Sequence, residues 1–173
     1  IHGTKVTVIG LDKDSTQGDK TSLNILEAMG CTVEWNGNAV TVTGPETLKG
    51  GEFDLNPIPD TLPILAVTAS YAHGDVHLTN VPQARIKETD RIDVMTKNLR
   101  KMGVEVEEEP DGMLIHGKGT MKGTQVMGYG DHRVIMAMAT AASKAEGETE
   151  IDDISAVSVT FPTFFELYET LKD

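Results

Sequence analysis

The chain repeats itself. Ile25 to Glu34 resembles Asn98 to Glu107, and both segments end a helical pattern on a Met-Gly pair, with Gly30 and Gly103 standing 73 residues apart. Asp60 opens an apolar run that ends near Ala72 and is followed by Gly74 to Val81. Asp131 opens a second run that ends near Ala145 and is followed by Gly147 to Ile154. A period of this kind means that one supersecondary unit is used more than once, its apolar face buried against its neighbours. The units run over about 5–80 and 81–153, with a partial third at 154–173. All of them belong to a single domain spanning 1–173.

Each unit has the same internal plan. In residues 90–102, Ile92, Met95, Leu99 and Met102 fall at helical spacing with charges between them, which predicts an amphipathic surface helix. Gly103 ends it as a residue able to take positive φ. Val104 and Val106 alternate with Glu105 and Glu107, Pro110-Asp111-Gly112 makes a turn, and Met113 to Ile115 returns, so a hairpin follows. After a loop from Gly117 to Gly130, Val134 to Lys144 is apolar all round and predicts a buried helix, with a strand over Glu148 to Ile154. The first unit runs the same way: helix 19–29, hairpin strands Thr32 to Trp35 and Val40 to Thr43, buried helix Leu62 to Tyr71. The third keeps its opening helix, Phe164 to Leu171. The fold class is α/β, with repeated units whose buried helices share a centre.

Lys and Arg number 15 against 27 Asp and Glu, a net charge of −12. That excludes non-specific binding to nucleic acid, which requires cations to displace counterions, though it leaves room for a small basic pocket. Cys31 has no partner for an internal disulfide and reads as a small apolar filler beside Gly30, so a reducing cytoplasm is expected. The longest apolar runs fall short of the ~20 residues of a membrane span, so no membrane partner is expected. The chain opens on Ile1 without a leader-like segment, which reads as a fragment or a processed chain.

Polarity breaks at three helix starts: Pro59-Asp60, Arg85 to Arg91, and Gly130 to Arg133. An Asp there is commonly an N-cap. Arg91 and Arg133 carry the wrong charge for a helix N-terminus. Two readings are open for them: a bound anion gripped by the guanidinium fork, or an ion pair with a neighbouring carboxylate.

The string Lys87-Glu88-Thr89-Asp90-Arg91 resembles the signature of the 5-enolpyruvylshikimate-3-phosphate synthase family. Gln17-Gly18-Asp19, Ile58-Pro59-Asp60, Asp131-His132-Arg133 with Met136-Ala137, and Phe161-Pro162 resemble further motifs of that family in the same order, over essentially the whole chain. The resemblance implies βαβαββ units around buried helices, an inside-out α/β barrel, as one domain of a two-domain enzyme, here the part holding the C-terminus. It implies transfer of the enolpyruvyl group of phosphoenolpyruvate to the 5-hydroxyl of shikimate 3-phosphate with release of phosphate, on the path to chorismate and the aromatic amino acids, without metal or cofactor. It also implies an N-terminal domain as partner, so the chain alone is expected to be inactive.

On that resemblance Asp60 is the base or orienter at the hydroxyl, Lys87 bridges the two substrates, and Glu88 is the proton donor to the methylene carbon. Arg91 and Arg133 clamp phosphoenolpyruvate, and His132 orients Glu88 or the phosphate. Together these residues are expected on one open, electropositive face. Two positions depart from the family. Gln83 stands where many members have an Asn that contacts the shikimate phosphate, and Val159 where many have a Lys that reaches phosphoenolpyruvate, so that the chain manages without that contact, or binds less tightly, or Lys144 or another cation substitutes. His2, His73, His77 and His116 fit no motif and read as surface or strand-edge residues. The competing readings are the UDP-N-acetylglucosamine enolpyruvyl transferase, which lacks the Lys87–Arg91 string in this form, and a non-catalytic remnant domain.

Overall fold

A computed structural model describes residues 1–171. Lys172 and Asp173, the last two positions of the expected third unit, lie outside the described residues. The strands are β1 (Lys5–Ile9), β2 (Thr32–Asn36), β3 (Ala39–Thr43), β4 (Leu48–Asp54), β5 (Ala72–Thr79), β6 (Glu105–Glu109), β7 (Gly112–Lys118), β8 (Gln125–Val126) and β9 (Glu150–Ile151). The helices are α1 (Ser22–Ala28), α2 (Leu62–Ser70), α3 (Arg91–Lys101), α4 (His132–Ala142), α5 (Val157–Thr160) and α6 (Phe164–Glu169).

The element order repeats as helix, hairpin, strand, buried helix, strand. In both copies the strand before the buried helix pairs in parallel with the strand after it, β4 with β5 and β8 with β9. Parallel neighbours need a crossover, and α2 and α4 supply it. The next hairpin then joins the same sheet. β7 pairs antiparallel with β5, giving the order β4-β5-β7-β6, and β1 occupies the corresponding place in the sheet β1-β3-β2.

The core lies between these sheets and the helices. α2 buries Leu62, Leu65, Ala66, Val67, Ala69 and Ser70, leaving little of its circumference to solvent. α3 is more than a surface helix. Seven of its eleven residues are buried, among them the polar Arg91, Thr96 and Asn98.

Several expectations need correction. α4 begins two residues before Val134, because the Asp131 side chain caps it and makes His132 its first residue. It is also not buried all round, since Met136 and Thr140 are half-buried on a groove. The Leu48-to-Asp54 run carries no strand signal, because Gly50 and Gly51 interrupt it. There the two strands come so close that a Cβ on Gly50 would stand 2.3 Å from the Asp75 carbonyl oxygen, and the register shifts between Lys49 and Gly51. β8 lies hidden in the expected loop, β9 covers only two residues of the longer strand expected there, and α5 was not anticipated. No described helix is long and apolar enough to cross a membrane.

Candidate active site

Asp60 lies in a 3-10 turn, Pro59–Thr61, that leads into α2. Its side chain caps nothing. Instead it receives three cations: Arg91 Nη1 at 2.9 Å and Lys87 Nζ at 3.2 Å on Oδ1, and Arg133 Nη2 at 3.2 Å on Oδ2. Lys87 comes from the irregular segment before α3, Arg91 is the first residue of α3, and Arg133 is the second of α4. Three helix starts therefore meet at one carboxylate. Burial pushes the Asp60 carboxyl up, but Arg133, Lys87 and Arg91 together outweigh it and hold it below the usual carboxylate range.

Arg91 is the buried member of the cluster, with 1% of its side chain exposed. Nε donates to Asp131 Oδ2 at 2.8 Å and Nη2 to Asp131 Oδ1 at 3.3 Å. Nη2 also donates to Glu88 Oε2 at 2.7 Å, and Nη1 to Asp60. Asp131 is fully buried and also serves the backbone. Its Oδ1 accepts the N–H of Arg133 at 2.8 Å and of Val134 at 3.3 Å. One side chain thus caps α4 and locks it to the start of α3. The segment before it is fixed as well. Asn98 donates to the Met127 carbonyl and accepts the Met127 N–H, while Tyr129 and Gly130 both take positive φ.

The geometry brings Asp60, Lys87, Glu88, Arg91 and Arg133 onto one network. It revises two expectations. The guanidinium of Arg91 is enclosed by three carboxylates and so is not an open clamp in this chain. Lys87, Arg91 and Arg133 are matched by Asp60, Glu88 and Asp131, so the cluster is balanced in charge rather than electropositive. The open cations are Lys87 and Arg133, each about one-third exposed.

His132 sits beside Arg133 on α4, but among the described residues it makes no hydrogen bond to Glu88, whose carboxylate is taken by Arg91. Gln83 stands apart and donates to the Asn56 carbonyl and side-chain oxygens, both at 3.0 Å. Lys144 lies away from the Asp60 cluster. It lies past the C-terminal end of α4, about 16 Å along the helix from its start, where it hydrogen-bonds the Ile1 carbonyl and covers the Tyr71 ring.

Beside the cluster runs a groove of about 220 Å³ between α2, α4 and α6, with Asp60 and Arg133 at one end and Ile64, Met136 and Phe164 along its walls. Asp131 is the N-cap that its place before the Arg133 helix suggested; its second role, holding Arg91, has no local signal because the two residues lie 40 apart in sequence. Among the described residues no group of three or more His, Cys, Asp or Glu is placed to hold a metal ion.

The EPSP synthase (3-phosphoshikimate 1-carboxyvinyltransferase) family model matches residues 1–167. A 3-phosphoshikimate 1-carboxyvinyltransferase of Acetivibrio thermocellus is 50% identical over 164 residues, covering 95% of this chain and 38% of that protein. One from Ruminiclostridium cellulolyticum is 46% identical over 166 residues, covering 96% and 39%. One from Methanocaldococcus jannaschii is 38% identical over 168 residues, covering 97% and 39%. The solved EPSP synthase of Acinetobacter baumannii superposes with a TM-score of 0.86 at 29% identity, over 98% of this chain and 42% of that one. The chain therefore spans about two-fifths of the length of the relatives it matches.

Proposed function

The chain belongs to the EPSP synthase family, and from that membership we propose that it forms one side of the active site of a 3-phosphoshikimate 1-carboxyvinyltransferase. The reaction joins the 5-hydroxyl oxygen of shikimate 3-phosphate to C2 of phosphoenolpyruvate while a proton is added to the methylene carbon. The adduct then loses phosphate and a proton to restore the enol ether. Such chemistry asks for cations around an anionic adduct, a group that orients the hydroxyl and takes its proton, and an acid at the methylene carbon.

The observation that carries this reading is the Asp60 carboxylate, just before α2, bridging Lys87 and Arg91 from the segment leading into α3 and its first residue, and Arg133 from the start of α4. Held ionised by those cations, Asp60 is a hydrogen-bond acceptor first, and it serves best by aligning the hydroxyl. Lys87 and Arg133 are the exposed cations, and we assign them to the phosphoenolpyruvate anion, with His132 beside them. Arg91 supports them from behind through Asp131. Glu88, 47% exposed and bonded to Arg91, is the acid candidate once protonated. The remaining part of the relatives' length would supply the facing wall and exclude water.

Neither the amino-sugar transferase nor a non-catalytic remnant is favoured by the names of the relatives. The test is a chimera in which this chain replaces the 164 aligned residues of the Acetivibrio thermocellus relative. Phosphate release that depends on shikimate 3-phosphate, and not on the nucleotide sugar, is expected. A folded chimera that releases none overturns the proposal. The 173-residue chain by itself is expected to turn nothing over.

A further inference from the structure

The segment that carries Lys87 and Glu88 has no regular structure of its own: a 3-10 turn, Pro82–Ile86, ends just before it, and α3 begins at Arg91. Ile86 is 84% exposed, so the core does not hold the segment down. What spans it is Arg85. Nη1 donates to Asp90 Oδ2 at 2.8 Å, and the other oxygen of Asp90 caps α3 by accepting the Asp93 N–H at 3.0 Å. Nη2 donates to Glu108 Oε1 at 2.9 Å and to the Glu109 carbonyl at 2.5 Å, and Nε donates to the Pro110 carbonyl at 2.7 Å. One guanidinium thereby ties the residue before the segment to the residue after it, and ties both to the turn between β6 and β7.

We propose that Arg85 is a positioning residue of the site, closing residues 86–89 into a fixed arch that holds the Lys87 ammonium against Asp60 and the Glu88 carboxylate against Arg91. The planar five-donor fork is required, because the four acceptors lie on the end of β6, the turn after it and a helix cap. A lysine would reach one or two of them. The inference rests on Lys87 and Glu88 belonging to the active site, as proposed above.

The experiment uses the 173-residue chain without substrate, so its outcome is separate from whether the longer protein transfers enolpyruvyl groups. Carbon-detected titration of the Asp60 carboxyl and backbone relaxation of residues 86–89 are compared in the parent, Arg85→Ala and Arg85→Lys. In Arg85→Ala the amides of 86–89 should lose order and the Asp60 midpoint should rise, because Lys87 no longer sits on the carboxylate. Arg85→Lys should recover only part of both. A general loss of stability does not move the Asp60 midpoint in the folded population. Should Arg85→Ala not fold, Glu108→Ala removes a single acceptor and should shift both readouts the same way by less. Folded variants with residues 86–89 as rigid as in the parent and an unmoved Asp60 midpoint overturn the proposal.

Discussion

Asp60 and Asp131 open the buried helices of two successive repeats, yet they do opposite things. Asp131 is fully buried, sits at the N-cap in extended conformation, and satisfies both the α4 backbone and Arg91. Asp60 follows Pro59 inside a 3-10 turn, one residue before the α2 N-cap Thr61, so its carboxylate caps nothing and lies one-third exposed, toward Lys87 and Arg133. A repeated scaffold delivers two carboxylates to one place. A difference of one turn of backbone makes one of them a buried structural pin and leaves the other partly exposed among three cations.

The widest gap between the two should appear in stability. Asp131→Ala leaves the buried Arg91 guanidinium without its main partner and should cost about 3–5 kcal/mol, the usual penalty for breaking a buried pair. Asp60→Ala acts on a partly exposed group and should cost about 1 kcal/mol or less. Urea unfolding of the two variants decides it, and equal losses would abolish the distinction.

A second contrast concerns the two arginines that reach Asp60. In the chimera, Arg133→Lys keeps the charge but loses the fork. Loss of one charge-assisted hydrogen bond of about 1.5–3 kcal/mol should lower kcat/KM for phosphoenolpyruvate roughly ten- to a hundredfold, with little change in shikimate 3-phosphate binding. Arg91→Lys should instead lower the unfolding midpoint. If Arg91→Lys alters phosphoenolpyruvate kinetics without loss of stability, Arg91 is an open ligand after all.

Acid tests the surroundings of Asp60. Because the folded Asp60 carboxyl lies below its unfolded value of 3.8, its ion pairs stabilise the fold above that pH, and this contribution is lost as pH falls through the folded value. Asp60→Asn should flatten the acid limb of the stability profile near and below pH 3.8, which chemical denaturation at stepped pH would reveal. A profile unchanged by the substitution contradicts the three-cation environment.

The smallest effect is expected away from the site, on the outer face of the β4-β5-β7-β6 sheet. His77 lies between Glu109 and Glu52, and His116 between Asp75 and Glu107. Hydrogen bonds to these carboxylates raise both imidazoles above the ordinary 6.5. Their contribution is complete below pH 6.5 and fades as pH rises through the folded values. His77→Gln with His116→Gln should therefore remove a shallow decline of stability above pH 6.5, and activity of the chimera should not follow it.

How far residues could be read without coordinates varied with the kind of signal. Helical periodicity exposed α3, and the turn at Pro110-Asp111 exposed the β6–β7 hairpin, because those signals are local; α6 was legible as the opening helix of a third repeat. β4 was not legible: its Gly50 exists for a close approach to Asp75 of β5, 25 residues away, and in sequence a glycine pair reads as a loop. The start of α4 was misjudged for a related reason, since a capped helix starts at its cap and not at its first apolar residue.

Spacing and side-chain type along the chain were enough to establish the repeat, the order of helix, hairpin and second helix within it, and the set of charged residues at helix starts. Tertiary structure alone decided which carboxylate faces which cation. The partners of Arg91 come from 3 to 40 residues away on separate elements, and burial converts it from an expected clamp into an enclosed support. Charge balance in the cluster was likewise invisible in the net charge of −12, because electrostatic energy depends on distance and solvent exposure, which composition does not contain.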